Sequence, residues 1–168
     1  TDDKQMDMIY TSKGTIIINS GRFESGTPAW TLNCKDSAYK DGTAKIIVNG
    51  GTFVGYDPRN NKAEGEGTSF VATGVGVDAA DGSFTAKAGM TAQVMDAKGA
   101  SVKAFATLAD AIAAAMRNST VTLLADTKEN VTISTPYVTL DLNGHTLNGS
   151  TGERKPALTI TARVTVKD

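Results

Sequence analysis

Apolar and polar residues alternate over short stretches of this chain, with turn residues between them. Residues 15–23, TIIINSGRF, and residues 45–53, KIIVNGGTF, lie thirty residues apart. Five of the nine positions are identical: Ile16/Ile46, Ile17/Ile47, Asn19/Asn49, Gly21/Gly51 and Phe23/Phe53. Ile18/Val48 and Ser20/Gly50 are close substitutions. A period of this length belongs to stacked repeat architectures. Between the copies, PAWTLNC (28–34) alternates Trp30, Leu32 and Cys34 with Thr31 and Asn33, the pattern of a half-buried strand. Each thirty-residue unit is therefore expected to hold at least two short strands. One coil of a parallel β-helix has that form, each strand pairing with its equivalent one coil away.

The second half repeats a different signature. An apolar–Thr–apolar tripeptide occurs five times, at 121–123, 131–133, 138–140, 158–160 and 164–166. Because i and i+2 share a face of a strand, each tripeptide sends two apolar groups inward and one Thr outward. Strands this short, separated by turn residues, again suit a solenoid. A β-sandwich is the competing architecture, and it wants longer, more evenly spaced strands.

Between the halves the pattern changes. DPRNNKAEGEG (57–67) is a polar surface loop. Residues 69–89 form a hairpin turning near Asp81-Gly82, and 92–105 form another turning near Lys98-Gly99. TLADAIAAAMRN (107–118) is the one convincing helix. Thr107, with Asp110 three residues on, makes a capping-box-like start. Leu108, Ile112, Ala115 and Met116 form its apolar stripe. A single amphipathic helix at this place is expected to cover the open apolar end of a coil. The predicted organisation is residues 1–89 as terminal coils of one solenoid module with a closing hairpin. Residues 90–168 follow as a hairpin, the capping helix and the first coils of a second module. The chain reads as a piece of a longer protein, since it stops within a strand-like stretch.

Composition narrows the class without supplying chemistry. Aromatics are only 6% of the 168 residues while glycines number 17, which favours a thin all-β structure over a compact globule. Seventeen basic residues against 18 acidic ones leave no single-sign field for nucleic acid or an anionic membrane. No apolar run is long enough to insert in a membrane. One cysteine, Cys34, excludes an internal disulfide framework.

Each candidate for chemistry also has a plainer role. The NGG of 49–51 is followed by strand-like residues rather than a helix and a Lys, so it turns the chain instead of cradling phosphate. Asn19 and Asn49 are expected to ladder, and Phe23 and Phe53 to stack, with Gly21 and Gly51 at the turn. His145 and Cys34 each lack a readable catalytic companion. Asp36, Asp41, Asp57, Glu64 and Glu66 all lie in loops of the first half, but no two share a repeat position. No catalytic residue, metal site or cofactor is expected. For sugar binding, Tyr39 and Tyr56 are the loop aromatics expected to be exposed, with Tyr137 and Trp30 behind them.

Residues 39–77 (YKDGTAKIIVNGGTFVGYDPRNNKAEGEGTSFVATGVGV) resemble the GGTF repeats of pectate-lyase-like β-helix proteins of gut bacterial surfaces and phages. Residues 105–150, with TLLAD and TLDLNGHTL, resemble the start of a further such module. The resemblance implies a right-handed parallel β-helix in an extracellular setting, with a structural or adhesive role and no catalytic residues carried over. The implied partners are neighbouring modules of the same parent chain, further copies of the chain, or surface glycans. The alternative functions are a carbohydrate-active β-helix enzyme of the lyase or glycosidase kind, or a glycan-binding module.

Overall fold

The structure, a computed structural model, describes residues 6–149 and 155–168. In chain order the strands are β1 (Ile9–Thr11), β2 (Gly14–Ile18), β3 (Arg22–Glu24), β4 (Leu32–Cys34), β5 (Ala44–Val48), β6 (Gly51–Val54), β7 (Val75–Ala80) and β8 (Ser83–Ala88). They continue with β9 (Ala92–Met95), β10 (Val102–Phe105), β11 (Thr120–Leu123), β12 (Thr127–Lys128), β13 (Val131–Ile133), β14 (Thr139–Asp141), β15 (Leu147–Asn148), β16 (Leu158–Ile160) and β17 (Thr165–Lys167). Two α-helices are described, α1 (Asp36–Lys40) and α2 (Leu108–Ala114). Contacts divide the chain into a unit of Thr1–Val75 with Asp81–Ala86 and a unit of Gly76–Ala80 with Lys87–Asp168. Both are built from stacked parallel coils, so the fold is a β-solenoid.

In the first unit, β1, β2 and β3 each pair in parallel with β4, β5 and β6 respectively. The register of β2 on β5 sets Ile16 on Ile46 and Ile18 on Val48, and β3 on β6 sets Phe23 on Phe53. That is the thirty-residue repeat expressed as coil-on-coil stacking. Ile18, Ile46 and Val48 point into the core while Ile17 faces out, as a period of two requires. The stretch 28–34 departs from the strand expected of it: Pro28–Trp30 is a 3₁₀ turn, and only Leu32–Cys34 is extended. Pro28 stands in the first turn, where its missing N–H is no loss, and the Thr31 hydroxyl closes the turn by donating to the Pro28 carbonyl at 2.8 Å. Parallel stacking ends beyond the second coil. β8 pairs antiparallel with β6, and Val71 makes a lone parallel bridge to Val48.

The second unit starts antiparallel, with β9 between β10 and β11, and then stacks β11, β14 and β17 in parallel. β12 on β15 and β13 on β16 make the remaining sides of the coil. The register sets Val121 on Leu140 on Val166. The tripeptides 121–123 and 138–140 are therefore offset by two residues, a shift that keeps every side chain on its own face. Residues Val121, Leu123, Val131, Ile133, Val138 and Leu140 are buried, whereas Ile160 and Val166 are exposed on strands that, among the described residues, each pair on one side only.

Helix α2 is shorter than the predicted 107–118. It stops at Ala114 because the chain turns back through Asn118, at φ +64°, and the Ser119 hydroxyl accepts from the Met116 amide. Met116, placed on the apolar stripe by spacing, is therefore 70% exposed. The N-terminus matches its signature: the Thr107 hydroxyl accepts from the Asp110 amide at 3.0 Å. A partner from the next coil adds to it, since Glu129 accepts from the Leu108 and Ala109 amides at 2.9 Å each. Leu108, Ala111 and Ile112 pack into the cluster holding Val94, Val121, Leu123 and Ile133.

Candidate functional site

The repeated corner is the first place to look for a ligand. Asn49 Nδ2 donates to Asn19 Oδ1 at 2.9 Å, one coil apart. The rings of Phe23 and Phe53 lie 4.9 Å apart at 17°. Gly21 and Gly51 sit at φ +124° and +113°, where a side chain would be strained. Gly50 needs no unusual φ. A Cβ on it would instead collide with the Asn19 carbonyl of the coil alongside. Backbone, amides and rings are all committed to one another at this corner.

The carboxylates divide by what they hold. Asp41 accepts from the Thr43 amide and hydroxyl, and these bonds hold its carboxyl below the usual range. Asp57 takes the Arg59 guanidinium at 2.8 Å and the Arg59 amide at 3.0 Å. Glu64 reaches from the 57–67 loop to accept from the Cys34 amide and from Asn61 Nδ2. It thereby caps a strand edge where a third coil would otherwise supply a carbonyl. With both oxygens occupied, Glu64 is a clasp and not a free acid. Asp36 is different: it is exposed and has no hydrogen-bond partner among the described residues. Among those residues no cluster of three or more His, Cys, Asp or Glu is placed to hold a metal ion.

Burial pushes the Glu64 carboxyl above its ordinary 4.5, against the Cys34 and Asn61 bonds that pull it down. A raised carboxylate pKa means that the fold prefers the protonated form. Its stabilising contribution is thus full below 4.5 and is lost as pH rises through the folded value. Glu64→Gln is expected to flatten that part of the profile. The check is the melting temperature of both proteins from about pH 4 to 7. A wild-type profile no steeper than the variant's in that window refutes the clasp's titration. Asp41 titrates lower and with the opposite sign, so the difference between the two proteins isolates Glu64.

Cys34 is buried, and desolvation followed by the nearby Glu64 charge raises its thiol to about 11, which makes it a poor nucleophile. His145 is half-buried, its Nδ1 3.5 Å from Asp126, whose carboxylate also accepts from the Thr146 amide. That arrangement pins a turn between coils.

The two tyrosines predicted to be exposed are not. Tyr56 is only 3% exposed, with its ring centroid 5.9 Å from that of Phe53. Burial, then the Glu64 and Asp57 charges, keep its hydroxyl protonated. Loop position misled here because the loop folds back over the coil, so Tyr56 has no ring face to offer a sugar. Tyr39 sits in α1, half-buried, edge-on to Phe70 at 6.0 Å. Trp30 is half-buried in the 3₁₀ turn. Tyr137 is exposed but lies under the guanidiniums of Arg117 and Arg163, at 4.2 and 5.7 Å from its ring centroid.

A groove that sequence reasoning missed lies at the β1–β4 face. It measures about 400 Å³ and is lined by Tyr10, Asn33, Cys34, Lys35, Asp36 and Ser37. Tyr10 and Asn33 are directly opposed in the ladder. The signal was weak because MDMIYTSK shares no repeated motif with the later coils. No helix among the described residues is long and apolar enough to cross a membrane. No protein-family model, curated protein or solved structure matches the chain.

Proposed function

We propose that this chain is a structural, adhesive β-solenoid module, acting without catalysis outside the cell, on a bacterial surface or a phage particle. The observation that carries the reading is the commitment of the repeated residues to one another. Asn19 with Asn49 and Phe23 with Phe53 join coil to coil, so the repeated residues serve stacking. The GGTF-like and DLNGHTL-like stretches support the extracellular setting through their resemblance to surface and virion repeat proteins.

Adhesion follows from strand edges. Among the described residues β16 and β17 each pair on one side only, and they present Ile160 and Val166 to solvent at their outer coil. Unpaired edges with apolar side chains recruit another strand. The partner of this surface is a further coil, supplied by a neighbouring module or by another copy of the chain. Light scattering at rising concentration tests this. The apparent mass is expected to grow for the wild type, and Ile160→Lys with Val166→Lys is expected to restore the monomer. A wild-type chain still monomeric at roughly millimolar concentration overturns self-stacking.

A further inference from the structure

We infer that the groove at Tyr10 is a binding site for a neutral, hydroxyl-rich sugar. It is separate from the coil-stacking edge and does not depend on it. The first support is what the groove leaves uncommitted. Tyr10 is 49% exposed, and Lys35, Asp36 and Ser37 are exposed around it. No side-chain hydrogen bond or ion pair engages any of these four among the described residues. Three carboxylates of the same unit are engaged instead, Asp41 by Thr43, Asp57 by Arg59 and Glu64 by Cys34 and Asn61.

The chemistry of the lining selects the ligand. Lys35 only donates, Asp36 only accepts and Ser37 does both. A vicinal diol matches such a set, because each hydroxyl donates once and accepts twice. Lys35 and Asp36 offset each other, and the Asp7 and Glu64 carboxylates held behind Asn33 and Cys34 add negative charge, so the local field disfavours an anionic ligand. The Tyr10 ring supplies an apolar face against which the C–H side of a pyranose packs, with a hydroxyl at its tip. Its position is set by the backbone, since Tyr10 is held in register against Asn33 and the Lys35 amide donates to the Thr11 carbonyl at 2.9 Å. Asn33 is itself anchored by donating to Asp7 at 2.8 Å, so the floor of the groove is preformed. An open groove of about 400 Å³ suits one or two sugar rings of a longer chain.

The test is a titration of the isotope-labelled chain with neutral hexose and N-acetylhexosamine trisaccharides, read by backbone amide shifts. An oligouronate trimer is the charged comparison, and an extended, sugar-free peptide is the control for strand addition at β1. Amide shifts confined to residues 9–11 and 33–37 are expected with a neutral trimer. Tyr10→Ala is expected to weaken that binding about tenfold or more, and Asp36→Asn to weaken it less. Tyr39→Ala, outside the groove, should leave affinity unchanged. Lys35→Met keeps the ring and tests the polar contribution if Tyr10→Ala perturbs the fold. The inference is overturned if no neutral trimer binds more tightly than ~10 mM, if the oligouronate or the peptide binds better, or if Tyr10→Ala and Lys35→Met both bind normally. Loss of self-association in light scattering would leave this result untouched, so the two readings fail separately.

Discussion

Phe53→Ala is expected to lower the stability of the first unit by about 3–5 kcal/mol, measured as a shift in the urea midpoint. Phe53 is fully buried, stacks at 4.9 Å on Phe23 of the preceding coil and touches the Tyr56 ring. Truncation removes its transfer free energy and leaves a cavity beneath the folded-back loop. The coil backbones are tied by the β3–β6 and β6–β8 ladders and cannot collapse to fill it. Domains of this size are stable by only about 5–15 kcal/mol, so the variant should sit near the edge of folding. Phe23→Ala is the internal comparison. Phe23 is half-buried on the outer coil and should cost clearly less. A loss under about 1 kcal/mol for Phe53→Ala would mean that the phenylalanine stack does not organise the unit.

Gly50→Ser should be the second most damaging change, although the same residue type is native one repeat earlier. Ser20 and Gly50 occupy equivalent positions, yet a Cβ at 50 would drive into the Asn19 carbonyl. Ser20 belongs to the outer of the two coils and is exposed there. The expected cost is at least the ~1–3 kcal/mol of overpacking, because the obstacle is backbone and cannot rotate away. Gly50 does not sit at positive φ, so the penalty arises from coil-to-coil approach and not from turn geometry. The converse change, Ser20→Gly, should stay within about 0.5 kcal/mol. Equal costs at the two positions, read from thermal unfolding, would refute the close approach.

This pair also shows where sequence reasoning stopped. The thirty-residue offset was legible because identical residues stack on identical residues, and the register Ile16 on Ile46 and Phe23 on Phe53 follows directly from it. The asymmetry between Ser20 and Gly50 reads as a tolerant substitution until the neighbouring carbonyl is in place. The 28–34 stretch departs from a half-buried strand because Thr31 and Asn33 are buried alongside Leu32 and Cys34, and Pro28 opens a 3₁₀ turn where its missing N–H costs nothing. Helix α2 was placed correctly at its start, where Thr107 and Asp110 are local. It was overrun at its end, where an αL Asn118 turns the chain into β11.

Site residues divide along the same line. Tyr56 lies in a polar, glycine-rich neighbourhood, and such neighbourhoods are usually exposed. The loop returns over it because Glu64 finds the unpaired Cys34 amide, a partner thirty residues away. Tyr10 carries no repeat signature, yet the β1–β4 register brings it beside residues 33–37. Periodicity alone determined the solenoid class, the stacking corner and the helix cap, since those depend on neighbours at constant spacing. Only the tertiary structure decided which tyrosine meets solvent, which carboxylate is a clasp and which glycine is indispensable. Those outcomes rest on contacts between unlike loops, and no period in the chain records them.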